Sequence, residues 1–374
     1  MSSLVPAVDP DGLLEYSVVF TDRSLNHMSA AFQQVMRDIS STLKDVYRAQ
    51  GVALVPGGGT YGMEAVARQF ARNKRCMVLR NGWFSYRWSQ IFSATELPAE
   101  EIVLKAHPLH SGDQAPFTPA PIEEVTTAIR ESKPDLVFAP HVETASGILL
   151  PDDYLQAVAA AVHEVGGLFV LDCVASGTLW VDMQACGVDI LISAPQKGWS
   201  SSPSCALVLF SERALERIEQ TTSNSFAGDL KKWLQIMQAY ENGGHAYHAT
   251  LPTDALQRFR DTMLETRDYG FARVKQEQLE LGQAVRTLLW EKGFVSVAAE
   301  GFEAPGVVVC YTADDRLHNG SGFISHGLQT ASGVPLMCDE PASFKTFRIG
   351  LFGLDKLHNR ERTVANLRAA LEAL

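Results

Sequence analysis

Three stretches of the 374-residue sequence carry side chains whose types and spacing suit chemistry. The first is Pro56-Gly57-Gly58-Gly59-Thr60-Tyr61-Gly62-Met63-Glu64, which follows an apolar run and leads into a helical pattern. Glycines let successive backbone N–H groups curl toward one point. A helix N-terminus adds partial positive charge, and Thr60 adds a hydroxyl. Gly58, Gly59 and Thr60 therefore suit a phosphate, with an ordinary glycine turn as the competing reading. No Lys-Ser/Thr follows the last glycine, and the spacing is not that of a dinucleotide fingerprint. The second stretch is Leu171-Asp172-Cys173-Val174-Ala175-Ser176. A carboxylate at the end of an apolar strand is costly unless paired. Asp172 thus reads either as a helix or loop cap or as the partner of a cationic ring nitrogen. The third is Ile192-Ser193-Ala194-Pro195-Gln196-Lys197-Gly198-Trp199. Its lysine is either solvated or an amine held in a cleft, where desolvation and positive neighbours lower its pKa.

The elements that must position these groups are legible in the periodicity. Apolar runs at Val52–Val55, Met77–Leu79, Ile102–Leu104, Leu136–Ala139, Leu168–Leu171, Ile190–Ile192 and Ala206–Phe210 read as strands, several of them apolar on consecutive positions as strands buried on both faces would be. Helical patterns at Gly62–Arg72, Phe84–Phe92, Ile122–Glu131 and Asp152–Val165 lie between them, the last with Asp152 as an expected cap. Such alternation predicts an α/β layer with a mostly parallel seven-stranded sheet sandwiched by helices. After Leu251-Pro252 the pattern changes. A long helical stretch from Asp254 to Lys292, interrupted at Tyr269-Gly270, precedes short strands at Phe294–Val297, Val307–Tyr311 and Thr346–Ile349 and a terminal helix over Asn359–Leu374. The expected division is a large domain over residues 1–252 and a linking helix with a smaller α+β domain over residues 253–374. Asp172, Lys197 and the glycine loop all fall at strand ends, where open α/β sheets place ligands. Pyridoxal 5′-phosphate (PLP) needs these three things from a protein: a lysine for a Schiff base, an acid at the pyridinium nitrogen and an anion cradle.

Bulk properties narrow the partners. A net charge of −11 argues against nucleic-acid and anionic-membrane binding, which demand a basic face. The sequence holds no apolar run long enough to span a bilayer. Residues Met1 to Asp11 lack the basic start and apolar run of a secretory signal. The six cysteines (Cys76, Cys173, Cys186, Cys205, Cys310 and Cys338) have no metal-ligand spacing and read as reduced thiols of a cytoplasmic enzyme.

Taken together, residues 50 to 355 resemble the class V aminotransferases within the fold-type I PLP enzymes. The likeness is strongest to the alanine–glyoxylate, serine–glyoxylate and 2-aminoethylphosphonate–pyruvate transaminase branch. Beside the three motifs above, the resemblance rests on Asn81-Gly82-Trp83-Phe84, His141-Val142-Glu143-Thr144-Ala145-Ser146-Gly147, Tyr247-His248-Ala249-Thr250-Leu251-Pro252 and Phe347-Arg348-Ile349-Gly350-Leu351-Phe352-Gly353. It implies Phe84 stacked on the cofactor ring, Val174 against the opposite face, Asp172 at the ring nitrogen and Thr144 by the phenolic oxygen. It also implies Gly58, Gly59, Thr60 and Gln196 at the phosphate, and Lys197 as the Schiff-base lysine and proton carrier. Tyr247 and Thr250 would reach the phosphate of a neighbouring subunit, which makes a homodimer with shared active sites. Arg348 would grip the substrate carboxylate, since a planar guanidinium makes two parallel bonds that lysine cannot. The implied activity moves an amino group from a small amino acid or aminophosphonate-type donor to a 2-oxo acid such as pyruvate or glyoxylate, ping-pong by way of pyridoxamine phosphate.

The N-terminal segment departs from this branch. It carries Arg23, Asn26 and His27 but no Gly-Pro opening. These three residues read either as substrate contacts or as an ordinary polar loop. Two rival functions remain at this level. One is a PLP-dependent lyase or desulfurase using Cys338, although desulfurases typically have His where Gln196 stands. The other is a non-catalytic binding protein on a degenerate fold, against which the joint presence of Lys197, Asp172 and Arg348 argues.

Overall fold

The computed structural model describes residues 7–374. Residues 1–6, part of the stretch read as lacking a secretory signal, lie outside the described residues. Each of the seven expected strands forms. Their bounds are Gly51–Pro56, Arg75–Arg80, Glu100–Lys105, Leu136–Pro140, Leu168–Asp172, Ile190–Ser193 and Cys205–Phe210. They make one sheet, in which Gly51–Pro56 lies at one edge and Glu100–Lys105 at the other, with Leu168–Asp172 in the centre. The pairs around Leu168–Asp172 are parallel, while Cys205–Phe210 runs antiparallel to both of its neighbours. The central strands are buried along their whole length, as their unbroken apolar runs require, whereas edge strand Glu100–Lys105 is partly exposed.

Register decides where the reactive groups end up. Asp172 pairs with Pro140 on one side and Ile192 on the other, so three parallel strands finish level with one another. The chain leaving them carries His141, Asp172 and Lys197. The Gly51–Pro56 strand runs in the same direction and delivers the glycine loop to the same edge.

The helices between strands bury their apolar faces on the sheet. The helix expected over Gly62–Arg72 begins earlier and spans Gly59–Phe70, because the glycine loop itself supplies its first turn. The other three span Trp83–Thr95, Ile122–Ser132 and Asp152–Glu164. Asp152 is the first residue of its helix rather than the cap, a position taken by Pro151, and its charge sits in the first turn beside the positive end of the dipole. The long C-terminal stretch breaks where expected: Gly270, at φ 108°, separates Thr253–Tyr269 from Phe271–Glu291. Leu256, Phe259 and Met263 of the first helix join the large core, while Val274, Leu281 and Val285 of the second start another.

The smaller sheet pairs Val307–Tyr311 with Thr346–Gly350 and adds Ala331–Ser332. The expected strand Phe294–Val297 is not one. Only an isolated bridge from Ser296 to Cys310 forms, because the Val297 carbonyl takes the Phe117 amide and the Ala299 amide binds the Phe117 carbonyl, drawing the segment to Phe117. The terminal helix spans Arg360–Ala373. A third apolar cluster, containing Val142, Ala145, Ala175, Val309 and Leu336 with Phe84 and Phe352 at its border, joins the two halves next to the strand ends.

Candidate active site

Lys197 lies on the turn after Ile190–Ser193, half-buried. Two close approaches seat this turn and the glycine loop on the Asp172–Gly177 segment. A side-chain carbon on Gly198 would lie 1.9 Å from the Gly177 carbonyl oxygen, so the Lys197 loop passes directly over the Asp172–Gly177 loop and only glycine fits there. Likewise, a carbon on Gly59 would meet Val174 at 2.5 Å, which seats the phosphate-type loop on the same Asp172–Gly177 segment. Gly198→Ala is therefore expected to cost about 1–3 kcal/mol of stability through overpacking. Urea unfolding checks this, and an unchanged midpoint would contradict the contact.

Asp172 is 8% exposed, and its carboxylate accepts the Val174 N–H at 2.9 Å. Burial pushes its pKa up to about 6; the Val174 bond opposes this, Glu143 adds to it, and Arg87 and Lys197 draw it back. Lys197 is displaced downward, first by burial and then by the charge of Arg348, with Asp172 opposing. Its amine lies 4.9 Å from the centre of the Phe352 ring. A lysine held this way carries a larger fraction of free amine at neutral pH, the form that attacks a carbonyl. Beside them His141 is buried, held neutral with its pKa near 3 by burial, and its Nδ1 lies 2.7 Å from Ser176 Oγ. The His141 amide donates to the Asp172 carbonyl, tying the two strand ends together.

Phe84 is placed by Glu143. The Val142–Glu143 and Ile148–Leu149 hairpin turns through Thr144 and delivers the Glu143 carboxylate, fully buried, to the start of the Trp83–Thr95 helix. There it accepts the amides of Phe84 (3.2 Å), Ser85 (2.8 Å) and Ala145 (3.0 Å) and the Ser85 hydroxyl (2.7 Å). Burial raises its pKa and these bonds resist the rise. They satisfy helix-end donors that would otherwise be orphaned. Arg348 comes from the small sheet, paired with Val309. Its Nε donates to the Ser332 carbonyl at 2.7 Å, and its guanidinium lies 5.6 Å from the Phe84 ring centre. Burial lowers its pKa while Glu143 supports its charge. One guanidinium edge also reaches the Thr144 carbonyl at 3.5 Å, which brings Thr144, Phe84 and Arg348 together.

The Gly59–Phe70 helix has Gly58 as its cap and no side-chain cap bond, so its first amides are available to a ligand. The Gln196 side-chain oxygen and the Ser201 hydroxyl are buried without a partner. Space is open beside Gly58, where an added carbon would meet nothing within 4 Å. These orphaned groups, together with an Asp172 carboxylate whose hydrogen-bond partner is a single amide, fit PLP: a phosphate at the loop, a ring N–H at Asp172 and an aldehyde at Lys197.

Tyr247 and Thr250 behave differently. They bond to each other at 3.0 Å on the surface, and Tyr247 is 55% exposed. Among the described residues, no hydrogen bond joins either to the glycine loop, Asp172 or Lys197. The Tyr247 ring packs 5.5 Å from buried His27. Asn26 binds Glu15 and Ser17 within the N-terminal turn, and Arg23 is exposed. The sequence alone does not mark Arg87, Glu143, His141 and Phe352 as site residues. Arg87 lies one helical turn after Phe84, so the i, i+3 spacing on an expected helix was a usable signal.

A model of the family described as Aminotransferase class-V matches residues 13–315. The chain belongs to the class V aminotransferases. Members of this family depend on PLP, and the fold is that of the fold-type I PLP enzymes. The chain is 25% identical to the alanine–glyoxylate aminotransferase of Oryctolagus cuniculus, over 93% of this chain and 87% of that one. It is 27% identical to the 2-aminoethylphosphonate–pyruvate transaminase of Burkholderia ambifaria, over 92% and 89% respectively. The solved alanine–glyoxylate aminotransferase from Nostoc sp. superposes with a TM-score of 0.79 at 22% identity, covering 94% of this chain and 89% of that one.

Proposed function

We propose that this aminotransferase takes an amino group from a small amino acid or aminophosphonate-type donor and delivers it to a 2-oxo acid such as pyruvate or glyoxylate. The observation that carries the proposal is the grouping of Lys197 with the charges of Asp172 and Arg348, Lys197 lying over Phe352 and Arg348 over Phe84, with the names of the relatives pointing to the substrates. When bound, PLP supplies a cationic ring that makes a substrate Cα–H acidic. Asp172 holds the proton on the ring nitrogen. Lys197 Nζ takes the Cα proton and returns it one position along, as a general base and then acid. Gly58, Gly59, Thr60 and Gln196 hold the phosphate. Phe84 and Val174 cover the two ring faces and keep water out. Thr144 stands by the phenolic oxygen.

Arg348 binds the substrate carboxylate in this reading. Arg348→Lys is expected to raise KM for both the donor and the 2-oxo acid by about 10–100-fold, because the bidentate geometry is lost. The change in kcat is expected to be smaller. An unchanged KM in steady-state assays would remove Arg348 from this role.

The same proposal makes the protein a cytoplasmic homodimer in which Tyr247 and Thr250 act on the partner's phosphate. Their exposure and their mutual bond support this, as do six free, buried cysteines for a reducing compartment. The division at residues 252 and 253 belongs to it too. The second core is built from Val274 onward, and the helix Thr253–Tyr269 leans back on the first. Neither nucleic acid nor membrane is a partner in this reading. The net charge of −11 supports that, and among the described residues no helix is long and apolar enough to cross a membrane. The desulfurase alternative is weakened by Cys338. It is 3% exposed, its Sγ lies 3.3 Å from the Arg80 carbonyl, and burial pushes its thiol up to about 12. Such a thiol is not a nucleophile at neutral pH.

The test is a half-reaction screen. Candidate amines are added one at a time to the PLP-loaded enzyme, and loss of the cofactor's visible absorbance is followed. A small amino acid or aminophosphonate should bleach the band, and pyruvate or glyoxylate should restore it. Bleaching by none of them would refute the proposal.

A further inference from the structure

We propose that Arg87 is a ligand of the cofactor phosphate, both directly and by orienting the Thr60 hydroxyl; this rests on the PLP reading above. The Trp83–Thr95 helix starts beside the glycine loop and presents Phe84 and Arg87 one turn apart on one face. The Arg87 guanidinium lies 5.1 Å from the Phe84 ring centre, and its Nη1 donates to Thr60 Oγ1 at 2.9 Å. That bond occupies a lone pair of a hydroxyl which has one proton to give. With Arg87 on the acceptor side, the Thr60 proton is free to point into the cradle. The guanidinium keeps further N–H donors for a second oxygen, since it has five in a fixed fork.

Charge balance points the same way. A phosphate monoester carries about −1.5 to −2 at neutral pH. The helix end at Gly58 and Gly59 offers roughly half a positive charge. The other cations of the site have other tasks: Lys197 faces Phe352, and Arg348 is tied to the Ser332 and Thr144 carbonyls. Arg87 is the cation that touches the loop. The competing role for Arg87 is purely structural, a cation resting on the Phe84 ring to hold it. The two roles differ in one respect: only the first depends on a phosphate in the ligand.

The experiment uses full-length protein stripped of cofactor and titrated with PLP, with pyridoxal, which lacks the phosphate, and with inorganic phosphate as competitor. Binding is read by visible absorbance of the Lys197 adduct and by intrinsic fluorescence. For Arg87→Gln the dissociation constant for PLP should rise about 10–100-fold, as for loss of charge-assisted bonds. Inorganic phosphate should weaken in parallel, and pyridoxal should stay within about twofold of the wild type, since it has no phosphate for the guanidinium to bind. Arg87→Lys keeps the charge and should recover part of the loss, which also covers the case in which Arg87→Gln folds poorly. Equal losses for PLP and pyridoxal, or no loss for PLP, would overturn the assignment. Failure of the wild type to form a PLP adduct that Lys197→Ala abolishes would instead overturn the PLP reading itself, and the inference with it.

Discussion

Lys197→Ala is expected to lower kcat by about 1000-fold or more and to abolish the visible band of the bound cofactor. Two losses combine in this variant. The amine that would join PLP covalently disappears, so the cofactor is held only by its phosphate and ring contacts and should dialyse away. The proton carrier also disappears, and a positioned general base alone is worth about 100- to 10,000-fold. The surroundings argue that this lysine is prepared for the task. Burial and the Arg348 charge both lower its pKa, and the opposing pull of Asp172 ranks last. A solvated lysine would show none of this. The close approach of Gly198 to the Gly177 carbonyl packs the Lys197 loop directly against the Asp172 loop. Absorbance spectra before and after dialysis, with turnover measured at saturating PLP, decide the matter. A variant that keeps both its band and its turnover would end the assignment.

What the sequence reveals and what it conceals separate along physical lines. Strands buried on both faces must be apolar on both, so the central strands are visible as unbroken runs, and the sheet edge that gathers Gly58, Asp172 and Lys197 follows from strand–helix alternation. Phe294–Val297 resembles a strand in sequence because an apolar run records burial, not pairing. Val297 is buried, yet its backbone bonds to Phe117 as well as to Val309. The helix Gly59–Phe70 began three residues early because glycine has poor helix propensity and so hides a start that the uncapped loop dictates. Glu143 lay inside a recognised motif without a role. Its partners, Phe84 and Ser85, are remote in sequence, and nothing in a single chain of letters says that a carboxylate will cap a distant helix. Phe352 is remote from Lys197 in the same way. Arg87 was within reach, one turn from Phe84, but a lone arginine on a helix is usually a solvated one.

The second large effect concerns Asp172, and its sign differs between the protein with and without cofactor. In the cofactor-free protein, burial raises its pKa from 3.8 to about 6. The folded state therefore binds this proton more tightly than the unfolded state. Below about pH 3.8 both states are protonated and Asp172 costs nothing. As pH rises toward 6 the unfolded chain ionises first and stability is lost. Above about 6 both are ionised, and the full cost, about 3 kcal/mol, remains. Asp172→Asn cannot ionise, so the cofactor-free variant should be more stable than the wild type by up to about 3 kcal/mol at pH 8 and equal to it near pH 4. PLP reverses the balance. A ring N–H⁺ supplies the opposite charge that a buried carboxylate requires, and the carboxylate in turn keeps that proton in place. The stabilisation conferred by PLP should thus be smaller in Asp172→Asn, and turnover should fall by about 100-fold or more, because the ring no longer holds its proton while charge develops. Urea unfolding of both proteins at pH 4 and pH 8, with and without PLP, separates these effects. A stability difference between the cofactor-free wild type and Asp172→Asn that is the same at pH 4 and pH 8, or a variant with wild-type turnover, would show that Asp172 is an ordinary loop carboxylate. The expected pattern, a residue that destabilises the empty protein and is needed in the loaded one, is the signature of a group retained for its ligand.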